Sequence, residues 1–247
     1  MAFRIHYLVN RDEEFDIYNV SFPGINYVNV IHTNEVYDYS HHVLKTAYVE
    51  INSRDLEINQ ETVLNEMTVY LTNGDKITTD IGEVKITPLN NQVPFDFIAS
   101  GSSSDDTGFE MLSALEPVEL QKIEVPFNEQ LGTSFNLYLN TDQDALKRLP
   151  PDAKESLLSD IVKETKGSVL SADSFPLSLK NGELFKLDYD YSFSEEDPNR
   201  FHYFDFFINL RGKTETGDSF VGKMRVDYIP YLDEGDINEI INRSEGE

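Results

Sequence analysis

Five carboxylates fall within ten residues near the end of the chain: Asp188, Asp190, Glu195, Glu196 and Asp197, in the stretch LDYDYSFSEEDPNR. Calcium takes roughly six to eight oxygens, often several carboxylates from one loop, so this is the strongest metal candidate and calcium the only cofactor to expect. On a strand Asp188 and Asp190 share a face, because side chains repeat every second residue. Glu195 to Asp197 then occupy the following loop, which Pro198-Asn199 closes. The same spacing has a purely structural reading. Tyr189, Tyr191 and Phe193 fill a core face, and the two aspartates form cross-strand ion pairs with Lys186, Arg211, Lys223 or Arg225. Pro198 and Arg200 break any match to an EF-hand loop. Asp105-Asp106 is a weaker acidic pair.

Two aromatic groups are candidates for binding. Tyr37, Tyr39 and Tyr48 lie in one region, and Phe201, His202 and Tyr203 in another. Rings of this kind carry much of the energy of protein interfaces, although on strands they more often fill the core. His41-His42 is a poor chelate on a strand, where neighbouring side chains point to opposite faces. Catalytic signatures are missing: the chain holds no HExxH, P-loop, GxGxxG or GxSxG. With 45 acidic residues, no acid–base pair stands out. The chain reads as non-catalytic.

The elements that must position these residues are strands. Phe3, Ile5 and Tyr7 alternate with polar partners, as do Ala47, Val49 and Ile51. Strands are expected at 17–22, 27–31, 118–125, 134–139, 185–193, 203–210 and 220–229. The parity flips before Leu56 and Ile58, which calls for a bulge or strand end near Ser53 to Asp55. Pro23-Gly24 is a turn signal, and Asn73-Gly74 reads as a two-residue type I′ hairpin turn. One phrase recurs. MTVYLTNGDKITTDIGEVKITPL (67–89) and FFINLRGKTETGDSFVGKMRVDYIPYL (206–232) each run strand, Gly-Asp turn, strand, proline. A repeated hairpin implies two similar all-β domains in tandem. SGSSSDDTG (100–108) is the most loop-like stretch, so the expected domains are 1–108 and 109–247. A helical insert at about 141–167 belongs to the second. It holds a short helix capped by Thr141 or Asp142 and a second from about Pro151, with Gly167 at its C-terminal end. A closing helix should dock Ile237, Ile240 and Ile241. In architecture this resembles paired immunoglobulin-like antiparallel sandwiches, without the Cys and Trp of antibody domains.

Composition narrows the partners. A net charge of −25 repels nucleic-acid backbones and anionic lipid, which bind through Lys and Arg. No run approaches the ~18 apolar residues of a membrane span, so neither nucleic acid nor direct membrane insertion is expected. The chain has no Cys, which removes disulfides and thiolate sites and fits a reduced compartment or a disulfide-free Gram-positive surface protein. The expectation is a protein-binding module, bacterial and accessory or surface-associated if a leader or anchor lies outside this chain, otherwise cytoplasmic. Alternatives are an arrestin-like cytoplasmic scaffold, an acidic inhibitor or nucleic-acid mimic, and a carbohydrate-active enzyme.

Overall fold

Period-two alternation of apolar and polar residues turns most of this chain into half-buried strands. The computed structural model describes residues 2–25, 28–51, 62–86, 93–103, 105–147 and 165–244. The chain divides into two compact units, Met1–Leu89 and Asn90–Glu247, each an antiparallel β-sandwich of immunoglobulin-like topology.

In the first unit, β1 (Ala2–Asn10), β3 (Val28–Asp38) and β4 (His42–Ile51) form a sheet in the order β1-β4-β3. The second sheet is β2-β5-β6, from β2 (Ile17–Ser21), β5 (Thr62–Leu71) and β6 (Lys76–Ile86). Val49 and Ile51 from one sheet meet Ile17, Val20, Met67, Val69 and Leu71 from the other, with Phe3, Ile5 and Tyr7 packed beside them. Leu56 and Ile58 lie outside the described residues.

The second unit is larger. β7 (Phe95–Ser103), β8 (Thr107–Ala114), β10 (Phe135–Asn140), β11 (Ser168–Val169) and β13 (Leu184–Tyr191) give the order β11-β10-β13-β8-β7. Facing it is β12-β9-β14-β15, from β9 (Val118–Glu124), β12 (Leu177–Leu179), β14 (Phe204–Thr214) and β15 (Ser219–Tyr228). Phe185, Leu187 and Tyr189 of β13 pack on Ile208 and Leu210 of β14 and on Met224 and Val226 of β15. Three α-helices and two 3-10 turns, Ala172–Ser174 and Pro198–Phe201, complete the described elements; the helices are α1 (Asn128–Leu131), α2 (Gln143–Leu146) and α3 (Glu234–Ser244), the last burying Ile237 completely.

The strand orders of the two units correspond. Counting β8, β9, β10, β13, β14 and β15 as first to sixth, both units have sheets ordered first-fourth-third and second-fifth-sixth. The second unit adds β7, β11 and β12 at sheet edges. This matches the immunoglobulin arrangement in which sheets ABED and CFG face each other. The repeated phrase is the fifth–sixth hairpin of each unit, and its turn is the same in both. Leu71 N donates to Asp75 O and Gly74 N to Leu71 O; Thr214 N donates to Asp218 O and Gly217 N to Thr214 O. The expected type I′ turn is not what forms. Of the residues between the strands only Gly74 (φ 95°), and likewise only Gly217 (φ 89°), has positive φ. Three residues close the loop, with glycine in the left-handed position, the second common hairpin class.

The expected division at 108 falls inside a hairpin, because β7 pairs with β8 and β8 with β13. Residues 100–103 and 107–108 are strands, with Asp105-Asp106 in a turn, not a linker. Their small side chains make room for rings: a Cβ on Gly101 would stand 2.8 Å from the Phe109 ring, and one on Gly108 would collide with the Tyr189 ring. Of the helical insert, α2 forms and is capped as expected by Asp142, which accepts from Asp144 N and Ala145 N. The second helix expected from Pro151 lies outside the described residues. Gly167 is needed for close approach, since its Cβ would collide with the Leu139 carbonyl.

Candidate functional site

The five expected metal ligands are dispersed. Asp188 and Asp190 do share the face of β13 opposite the core, yet that face is covered. Lys186 is fully buried and Asp188 3% exposed, and Lys186 Nζ lies 2.6 Å from Asp188 Oδ1. Lys186 also reaches Thr165 Oγ1 at 3.1 Å and lies over the Phe109 ring. Burial pushes the ammonium pKa down and the Asp188 pKa up. Asp190 pairs with Lys166 at 2.7 Å and accepts from Asn136 at 2.8 Å. Asp197 caps the 3-10 turn Pro198–Phe201 by accepting from Asn199 N, and it takes the Ser134 hydroxyl at 3.1 Å. Glu195 and Glu196 are exposed. Among the described residues no three His, Asp or Glu side chains gather as a metal group, and the five carboxylates are placed as ion pairs, a cap and two exposed side chains.

The first aromatic group does not form one patch either. Tyr37 is 59% exposed on the edge strand β3. It sits opposite Leu44, four residues or about 13 Å along β4 from Tyr48. Tyr48 accepts from Arg4 Nε at 2.9 Å beneath that guanidinium. Tyr39 is half-buried in the β3–β4 turn. In the second group Phe201 is buried, Tyr203 half-buried and His202 exposed, so the three do not present one face.

What the fold does assemble lies at one end of the second sandwich. Tyr191, Phe193, Phe204 and Tyr228 converge there, with Tyr191 4.9 Å from Tyr228 and Phe193 5.0 Å from Tyr228, ring centre to ring centre. Tyr191 stacks on Phe193 at 5.7 Å and Phe193 on Phe204 at 6.0 Å. Tyr191 N donates to Asp106 O, tying the end of β13 to the β7–β8 turn. Asp106 holds a left-handed backbone (φ 57°), uncommon without glycine.

Arg200 fastens the other wall. Its guanidinium meets Asp236 at 2.8 Å and Glu239 at 3.1 Å on α3, and it lies 4.0 Å over the Phe201 ring. Asp236 and Asp233 exchange side-chain-to-backbone bonds at the start of α3, each 3.0 Å, as in a capping box. Between these walls is a cavity of about 260 Å³. Tyr191, Phe193, Tyr228 and Tyr231 line it, together with Asp106, Glu195, Arg200 and Asp236. Tyr231 is 95% exposed. Tyr228 Oη donates to Arg200 O at 3.1 Å, whereas the buried Tyr191 hydroxyl has no hydrogen-bond partner. Burial raises the Tyr191 pKa and pushes Tyr228 up to about 12, so both hydroxyls stay neutral. Asp106 is raised too, by partial burial and the neighbouring charge of Asp105.

Of the residues singled out by sequence, Glu195 and Asp106 line this cavity and Phe201 lies under the guanidinium of one lining residue, Arg200. Tyr191 and Phe193 read as core and are core as well as wall. Tyr228, Tyr231, Arg200 and Asp236 were missed. The available signal was Tyr231, which follows Pro230 and falls outside the strand alternation, just before Leu232 and a polar run.

No protein-family model matches the chain, and no curated protein matches it. Among solved structures the chain is similar to the Enterococcus faecalis MSCRAMM ACE, described as binding its ligands by the collagen hug model. The identity is 11% and the TM-score 0.26, over 94% of this chain and 90% of that one. A likeness that loose leaves function to be read from the chain's own residues.

Proposed function

We propose that the protein is a non-catalytic β-sandwich module that binds another macromolecule through the end of its second sandwich, as a bacterial accessory or surface-associated interaction protein. The cavity walled by Tyr191, Phe193, Tyr228 and Tyr231 carries this reading. A ring as exposed as Tyr231 at the edge of this hollow contributes no burial in the free chain, and aromatic anchors of this kind concentrate interface energy. At about 260 Å³ the hollow is smaller than the roughly 300–1,000 Å³ of sites for drug-sized ligands, and suits one protruding side chain. The lack of Cys fits an oxidising envelope as well as a reduced compartment.

The test is capture from cell-envelope and cytosolic extracts, run separately, on immobilised protein and on its Tyr231→Ala variant. The expected result is a species held by the parent from the envelope extract and lost by the variant. A captured set unchanged by Tyr231→Ala, or none at all, refutes the proposal.

A further inference from the structure

We infer that the cavity at the end of the second sandwich receives a cation, the ammonium or guanidinium of a lysine or arginine on the partner; this rests on the binding role proposed above. The face of an aromatic ring attracts a cation electrostatically. Tyr191, Phe193, Tyr228 and Tyr231 are among the residues lining this hollow, and so are Asp106 and Glu195. Among the described lining residues the one cation, Arg200, is already held by Asp236 and Glu239. Among the described residues Asp106 makes no ion pair, and it lies beside the charge of Asp105, a repulsion that an incoming cation relieves. The long-range field agrees. The second unit carries 31 acidic and 14 basic residues, a net −17, against 14 and 6, a net −8, in the first. A surface of that sign steers basic segments toward it. An apolar anchor would gain from the rings but would strip water from the two carboxylates without returning a partner.

The experiment is an NMR titration of isotope-labelled full-length protein with Nα-acetyl-lysine-N-methylamide, with the norleucine analogue as the uncharged control of the same stem. The expected result is saturable shifts at Tyr191, Phe193, Tyr228 and Tyr231 with the lysine amide, at least tenfold weaker with norleucine. Asp106→Asn and Glu195→Gln should each weaken the lysine amide several-fold, while Glu196→Gln, an exposed acid outside the cavity lining, leaves it unchanged. Shifts spread over the acidic surface without saturation, or no shifts at the four rings, overturn the inference. Norleucine binding as well as lysine also overturns it, yet leaves the cavity a contact site. The binding role itself falls only with the capture experiment.

Discussion

Replacing Asp188 by Asn should destabilise the second sandwich more than any surface charge change. Lys186 and Asp188 side chains are 0% and 5% exposed and 2.6 Å apart. Removing one partner from a buried pair costs about 3–5 kcal/mol, because the remaining charge stays desolvated. Thr165 and the Phe109 ring still meet the ammonium, which places Asp188→Asn near the lower end. Lys186→Met leaves the carboxylate without its cation and should cost as much or more. The double variant Lys186→Met/Asp188→Leu should fall within about 1–2 kcal/mol of the parent, since an apolar replacement of a buried pair is often neutral or stabilising. Urea unfolding followed by circular dichroism measures all four proteins, with an unchanged m-value as the check that only stability moved. Calcium adds a second arm. A site at Asp188 with Kd a hundredth of the added calcium would raise stability by roughly 2.7 kcal/mol, and none is expected. An Asp188→Asn cost below about 1 kcal/mol, the range of exposed pairs, or a calcium-dependent rise abolished by that variant, would refute the reasoning.

Other consequences follow from burial. Burial raises the Glu110 pKa from 4.5 to about 7. The folded state therefore holds this proton more tightly than the unfolded one. Its stability contribution is complete below pH 4.5 and is lost as pH rises through about 7. Glu110→Gln should flatten the pH dependence across that window, by about 2–3 kcal/mol at ~1.4 kcal/mol per pH unit, read by unfolding at pH 5 and 8. His6 runs the opposite way, lowered from 6.5 to about 4 by burial and by Arg4. Stability of the first unit is present above pH 6.5 and lost as pH falls toward 4, and His6→Gln should remove that part of the acid sensitivity in a melt series. Gly108→Ala should cost on the order of 1–3 kcal/mol, because overpacking forces the Tyr189 ring to move; an unchanged thermal midpoint would contradict the packing described.

The alternation in β5 and β14 was readable because one face of each is buried and the other wet. The tandem hairpin was readable for a related reason: a left-handed turn position demands glycine in both copies. The strand through residues 100–103 was not. Ser and Gly carry weak strand preference, and what holds them is a backbone ladder to β8 plus room for Phe109 and Tyr189, which only the fold supplies. The Asp188 to Asp197 run misled because spacing records which side chains share a face, not what covers that face. The chain near Thr165 buries Asp188 against Lys186 while Glu195 goes elsewhere. The cavity unites Asp106, Tyr191, Tyr228 and Asp236, distant in sequence and joined by the way β8, β13, β15 and α3 end at one place.

The most direct check of the binding role is backbone hydrogen exchange of the full chain, alone and saturated with the partner that the parent captures. Slowed exchange at Tyr191 to Glu195 and from Tyr228 through Leu232 is the expected result. Protection confined to the first unit, around Tyr37 and Tyr39 for example, with the Tyr191 and Tyr231 regions unchanged, would contradict the assignment of this cavity as the binding site.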